Sequence, residues 1–201
     1  MPIHHHDTKG VDFGTKADSY DAGLTGAVAR YCYRVFLSVA DIAEGATVLD
    51  AGCGTGALLQ LITERFRAVG IGVEMSPQMA EVARNKHPGL KILTGVAAAL
   101  PVPDASVDAV VACLAYHHFE DQPAFLREAA RILRDGGTLY LVEANLPKPF
   151  TALVNTIFAH QGHFEKLYTA SRLCTELMDA GWVVTQLHDG LVQVVKATFR
   201  R

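Results

Sequence analysis

The stretch that decides the fold is Val48-Leu49-Asp50-Ala51-Gly52-Cys53-Gly54-Thr55-Gly56. A short apolar run enters a turn in which every second residue is glycine, and the helical pattern Ala57–Phe66 follows at once. Glycines between a strand and a helix let the backbone approach a ligand closely at the carboxyl edge of the first strand. About twenty residues further on, Glu74 closes the next apolar run, Val69–Glu74, and a carboxylate at such a tip can accept hydrogen bonds from both hydroxyls of a ribose. Strand, loop, helix and acid together say far more than the glycines alone.

Working outward, short apolar runs keep alternating with helical patterns. Strands are expected at Thr47–Asp50, Val69–Glu74, Lys91–Thr94, Val107–Cys113 and Thr138–Glu143. Helices are expected at Ala57–Phe66, Pro77–Asn85 and Pro123–Arg134, the last with Arg131 and Arg134 in its final turn and Gly136 just beyond. This alternation is the pattern of a parallel sheet with right-handed crossover helices. Downstream, Phe150–Phe158 reads as a helix, His160–Tyr168 as a polar-aromatic stretch, and Ala170–Asp179 as a helix stopping before Gly181. Two β-rich runs, Trp182–Leu187 and Leu191–Phe199, are separated only by His188-Asp189-Gly190, a strong hairpin signal. Seven strands in this order predict an α/β fold: a Rossmann-like three-layer sandwich with a mostly parallel seven-stranded sheet ending in an antiparallel hairpin.

Upstream, Leu24, Val28, Tyr31, Val35, Val39 and Ile42 recur at helical spacing and predict an amphipathic helix over 24–43. Residues 1–15 carry no periodicity and read as a flexible end, leaving 16–201 as a single domain. The net charge of -3, from 18 basic and 21 acidic residues without a dense basic run, argues against a nucleic-acid partner. No apolar stretch approaches the ~20 residues of a membrane helix, and the N-terminus lacks a signal-peptide pattern. Cys32, Cys53, Cys113 and Cys174 are scattered, which fits reduced thiols in a cytoplasmic protein better than disulfides or a zinc site. No metal site is expected; His160 and His163 have ligand-like spacing but lack a third ligand.

Two ligands compete for the glycine loop. Gly52, Gly54 and Ala57 satisfy a dinucleotide fingerprint, which raises NAD. Asp50 opposes it: a carboxylate ~4 Å from a pyrophosphate charge costs about 4 kcal/mol at an effective dielectric near 20. S-adenosylmethionine carries an ammonium and a sulfonium and no phosphate, so the same acid favours it.

At this point the sequence resembles the class I S-adenosylmethionine-dependent methyltransferases, over about residues 18–199. Val48–Gly56 resembles their first motif, Gly72-Val73-Glu74-Met75-Ser76 the second, Ser106–Val111 the fourth-strand motif and Leu126–Leu141 the fifth-strand region. The small-molecule group that includes the ubiquinone and menaquinone enzymes is the most similar. The resemblance implies N-terminal lid helices and roles for single residues. Asp50, with Gly52, Cys53 and Gly54, would hold the methionine end and Glu74 the ribose. Met75 would pack on adenine, Leu114 would lie beside the cofactor, and Tyr20, in Ser19-Tyr20-Asp21, would fold over it. After the third strand, Gly95-Val96-Ala97-Ala98-Ala99-Leu100-Pro101 departs from the family's usual G-D-A-E-x-L-P. Val96 stands where an acid receives the adenine amino group, although Ala97 still offers its backbone N–H.

Tyr116-His117-His118-Phe119 follows the fourth strand and would face the acceptor. His117 or His118 could deprotonate a hydroxyl or amine, since imidazole titrates near neutrality; the alternative is a structural pair at the turn. The expected activity is methyl transfer to a small molecule by in-line displacement. A cofactor-binding or regulatory protein without turnover, and third an NAD-dependent oxidoreductase, are the other readings.

Overall fold

Seven strands form, and their order in the sheet fixes where a ligand can sit. The computed structural model describes residues 23–145 and 169–199. The described chain runs α1 (Gly23–Val39), β1 (Thr47–Ala51), α2 (Ala57–Phe66), β2 (Val69–Glu74), α3 (Pro77–Lys86), β3 (Lys91–Thr94) and β4 (Val107–Cys113). It continues with α4 (Gln122–Ile132), β5 (Leu133–Ala144), α5 (Ala170–Asp179), β6 (Trp182–Asp189) and β7 (Val192–Phe199). The sheet order is β3-β2-β1-β4-β5-β7-β6. Strands β1 to β5 pair in parallel, whereas β7 lies antiparallel between β5 and β6. The chain steps outward from β1 to β3 and then returns to β4 on the other side of β1. The loops after β1 and β4 therefore diverge, and a crevice opens at their carboxyl ends.

Helices cover both faces, which is why the central strands read as continuous apolar runs and not as alternations. On one face Cys32 and Phe36 of α1 and Leu58 and Ile62 of α2 pack on Val48, Val111, Tyr140 and Val194. Ala80 and Ala83 of α3 extend this layer against Leu59 and Ile92. On the other face Phe125, Leu126 and Ile132 of α4, with Leu173 and Leu177 of α5, meet Leu49, Val110, Leu139 and Val195. No helix among the described residues is long and apolar enough to cross a membrane.

Several details differ from the sequence expectations. Helix α1 stops at Val39 instead of 43, because Tyr140 Oη takes over the next backbone groups: it donates to Asp41 O at 2.8 Å and accepts from Asp41 N at 3.3 Å. Its buried face is also different: Ala29, Cys32 and Phe36 point inward, while Val28 and Tyr31 are exposed. Helix α4 ends at Ile132, so Arg134 is not in its last turn. Arg134 instead donates to Asp108 at 2.7 Å across an irregular β4–β5 register, where Gly136 takes φ +76. In the terminal hairpin Asp189 pairs with Gln193 and belongs to β6, moving the turn onto Gly190 and Leu191. Asn145 holds that turn, its side-chain amide donating to Asp189 Oδ1 at 3.0 Å and Gly190 O at 2.9 Å. Tyr20, the segment ahead of α1, the boundary at residue 15, the helix Phe150–Phe158 and the stretch His160–Tyr168 lie outside the described residues.

Candidate active site

The glycine loop leaves β1 at the crevice, and its conformation needs the residues it has. Gly52 adopts φ +75, and a Cβ placed on it would lie 2.8 Å from Ala115 Cβ and 3.5 Å from the Phe119 ring. The segment 115–119 therefore packs directly on the loop. Gly52 N and Cys53 N both donate to Val73 O, at 2.8 and 3.1 Å, which ties the loop to β2. The Cys53 side chain fills the space over Gly72, where a Cβ would meet its sulfur at 2.7 Å.

Two carboxylates converge here. Asp50, at the end of β1, is 2% exposed. Burial, and then the charge of Glu74, push its carboxyl up to about 7. Glu74 is also buried, and burial raises it, opposed by backbone N–H groups of Ser76, Gly54 and Met75. Its Oε2 accepts from Gly54 N and its Oε1 from Ser76 N, each at 2.9 Å. Glu74 thus holds the glycine loop as well as presenting an acceptor edge, a second role the sequence did not suggest.

The cleft beside these groups is lined by Ala29 and Tyr33 of α1, Asp50, the loop 52–55, and Cys113 and Leu114 at the end of β4. Asp50, Gly52, Cys53, Gly54 and Leu114 are thereby brought together, with Glu74 bonded to the same loop. Leu114 has φ +52 while its N–H donates to Val142 O at 2.8 Å. A leucine in the left-handed region costs about 1–3 kcal/mol, a strain found most often at functional sites. Met75 and Val96 stand on neighbouring tips beyond β2 and β3, both exposed, and do not line this cleft. Ala97 turns inward against the core, within a tight turn closed by Ala99 N donating to Val96 O at 3.1 Å. Burial pushes the thiols of Cys53 and Cys113 up, away from the thiolate form that a nucleophile needs.

Beyond β4 the chain makes one short 3₁₀ turn, Tyr116–His118. His117 Nδ1 lies 2.7 Å from Glu143 Oε2, and Glu143 is 1% exposed at the carboxyl end of β5. The His118 ring lies against His117, with centroids 3.9 Å apart and the planes tilted by 42°. Sequence reasoning selected both histidines but missed Glu143, which it read only as the end of an apolar strand. An acid closing an otherwise apolar run was the signal available. Among the described residues no group of three or more His, Cys, Asp or Glu side chains is gathered to hold a metal.

The sheet order, the glycine loop at its switch point and the acid at the tip of β2 define the class I methyltransferase architecture. Over residues 49–141 the chain matches the family described as a methyltransferase domain. It is 34% identical over 101 residues to a demethylmenaquinone methyltransferase of Chlorobaculum tepidum, covering 50% of this chain and 42% of that one. It is also 34% identical over 127 residues to a malonyl-[acyl-carrier protein] O-methyltransferase of Serratia marcescens, covering 63% of this chain and 49% of the other. The chain spans about half the length of the curated relatives it matches. Among solved structures, the methyltransferase complexed with the Haloferax volcanii Trm112 activator superposes with a TM-score of 0.82 at 21% identity. That match covers 94% of this chain and 98% of that one, and shares the fold.

Proposed function

We propose that this chain binds S-adenosylmethionine in the cleft beyond β1 and transfers its methyl group to a small-molecule acceptor. The observation that carries the reading is the convergence of two buried carboxylates, Asp50 and Glu74, on a glycine loop that admits a ligand against its backbone. The fit is chemical. An ammonium beside Asp50 would relieve the cost of burying that carboxylate. Both Glu74 oxygens keep a lone pair for ribose hydroxyls after accepting from Gly54 and Ser76. The loop 52–54 offers its backbone to the methionine end, exposed Met75 offers a face to adenine, Leu114 closes the cleft, and Ala97 N–H remains the candidate donor to the base. Tyr20 belongs to the same proposal, as a cover over the ligand.

The bound cofactor supplies a sulfonium methyl whose leaving group is a neutral thioether. What the chain's own residues add is orientation at near-contact distance, worth roughly 7–11 kcal/mol in favourable cases, and a proton acceptor in His117 or His118. The two relatives above are equally identical to this chain yet are named for unlike acceptors, demethylmenaquinone and a malonyl-carrying protein. That supports methyl transfer as the shared chemistry and leaves the acceptor to be set by this chain's own pocket. The net charge of -3 gives no attraction to nucleic acid, and four free cysteines suit a reducing cytoplasm. NAD is opposed by Asp50 above about pH 7, where that carboxyl is ionised.

Titration calorimetry on the full chain tests the reading. S-adenosylmethionine and its demethylated product should both bind saturably, and NAD should not. Asp50→Ala and Glu74→Ala should each weaken binding roughly 10-fold or more while the domain stays folded. Saturable NAD binding without adenosylmethionine binding would refute it.

A further inference from the structure

We infer that the groove between α4 and α5 is a second ligand site, one that takes an aromatic amino acid and acts on the glycine loop through Tyr116. The groove lies on the α4–α5 face of the sheet, whereas α1, which lines the cofactor cleft, packs on the other face. The coupling rests on the adenosylmethionine reading above; the binding does not.

The lining dictates the ligand. The groove encloses about 730 Å³, within the roughly 300–1,000 Å³ of small-molecule sites. Tyr116, Trp182, Phe199 and Leu126 give it an aromatic and apolar floor. Tyr116 and Trp182 are 1% and 4% exposed, and the Trp182 and Phe199 rings meet edge to face with centroids 5.3 Å apart. No described residue accepts from the Trp182 indole N–H, although a buried indole usually has a partner. Two charges stand on facing banks, Arg127 on α4 and Asp179 on α5, both exposed and neither bonded to a described residue. Neighbouring charges are matched: Arg131 pairs with Glu128 and Asp104, and Arg172 with Glu176. One unmatched cation and one unmatched anion over an aromatic floor complement a zwitterion with an aromatic side chain. Its carboxylate meets Arg127 and the indole N–H, its ammonium meets Asp179, and its ring is buried on the floor. A simple ion or a hydrocarbon would leave part of this surface unused.

Tyr116 joins the groove to the glycine loop. Its hydroxyl donates to Glu176 Oε2 on α5 at 3.3 Å, and its backbone oxygen accepts from Gln122 Nε2 on α4 at 2.9 Å. Its ring meets Phe119 edge-on, with centroids 6.1 Å apart. Phe119 is in turn the ring that stands 3.5 Å from the place of a Cβ on Gly52. Closely packed rings transmit displacement, because no void absorbs it. A ligand that moves Tyr116 therefore moves Phe119 against the loop proposed to hold the methionine end of the cofactor. Such coupling is reciprocal: each ligand changes the affinity of the other by the same factor.

Trp182 is the single tryptophan of the chain, so its emission, excited where tyrosine does not absorb, reads occupancy of the groove in the full, unmodified protein. Phenylalanine is the probe. It should change that emission saturably, whereas phenylpropionate, phenylethylamine and leucine, which lack its ammonium, carboxylate and ring, should each bind about 10-fold more weakly or less. Arg127→Gln and Asp179→Asn should each weaken phenylalanine about 10-fold or more with the melting temperature unchanged. Calorimetry then reads the coupling. Saturating phenylalanine should shift the adenosylmethionine dissociation constant about fivefold or more, and saturating adenosylmethionine should shift that of phenylalanine by the same factor. Tyr116→Leu should abolish the shift while both ligands still bind; if that variant does not fold, reciprocity in the unmodified protein decides. No change in emission, equal binding of all four probes, or phenylalanine binding lost in Asp50→Ala but kept in Arg127→Gln would overturn the site. Binding of both ligands without a mutual shift would overturn the coupling. Phenylalanine binding without adenosylmethionine binding would instead sink the reading of the cofactor cleft and leave the groove's ligand standing.

Discussion

In the proposed reading cofactor choice turns on Asp50, whose burial makes that choice depend on pH. With a carboxyl raised to about 7, the ligand-free protein holds a proton there at mildly acid pH. An incoming ammonium favours the ionised form, so binding should expel that proton. Affinity for adenosylmethionine should rise roughly tenfold per unit between about pH 5 and 7 and then level. Calorimetry near pH 6 in buffers of unlike ionisation enthalpy should register proton release, which Asp50→Asn should abolish; heats that do not depend on the buffer would count against it. Val96 carries the second residue-scale prediction. Valine cannot accept from the adenine amino group, and a charge-assisted bond there contributes roughly 1.5–3 kcal/mol. An S-inosyl analogue should therefore bind nearly as well as the adenosyl compound, and Val96→Asp should restore preference for adenosyl; strong discrimination by the unmodified protein would contradict this. At this scale Asp50, Gly52, Gly54 and Glu74 were legible because a short motif carries them. Glu143 was not, because its partner lies 26 residues away in the chain and only the β4–β5 pairing brings them together.

Among the elements, the loops on either side of β1 offer a clean comparison of two glycines. Gly52 and Gly45 have similar positive φ, +75 and +77, but only Gly52 has a neighbour where a Cβ would go. Gly45→Ala should cost about 1–2 kcal/mol, the left-handed penalty alone. Gly52→Ala should cost more, about 2–4 kcal/mol, because Ala115 must move as well. Urea unfolding of the two variants gives the difference directly, and equal losses would show that the loop and the 115–119 segment are not in firm contact. Helix α1 shows why element existence is easier to read than orientation. Gly26, Ala29, Cys32 and Phe36 repeat at three and four just as Val28, Tyr31, Val35 and Val39 do. The second face carries more branched and aromatic side chains, but Gly26, Ala29 and Cys32 let the helix lie close on the sheet, with Cys32 and Phe36 fully buried. In α4 the helical pattern ran past the true end, because Arg134 is captured by Asp108 and leaves the helix for β5.

For the whole molecule, the sheet order follows from the alternation of runs and the right-handed crossover rule, so the architecture and the position of the crevice were both legible. The side chains that separate elements bring to that edge, such as Glu143 beside His117, were not. Function and stability are opposed at that edge. The folded-state carboxyl of Asp50 is raised above its ordinary value of 3.8, so its burial costs nothing at low pH and most above about pH 7. Asp50→Asn should therefore stabilise the ligand-free protein by about 2–3 kcal/mol at alkaline pH and by little near pH 4, while weakening cofactor binding. Thermal melts at the two pH values check it, and a variant less stable at alkaline pH would contradict the buried-charge account. The central claim is methyl transfer to a small molecule at this crevice. Its most direct test is to incubate the full chain with trideuteromethyl-labelled adenosylmethionine and a protein-free metabolite extract, and to follow the label by mass spectrometry. The account predicts a labelled small molecule that is absent when Asp50→Ala replaces the wild type; label that stays in the donor with both proteins would contradict it.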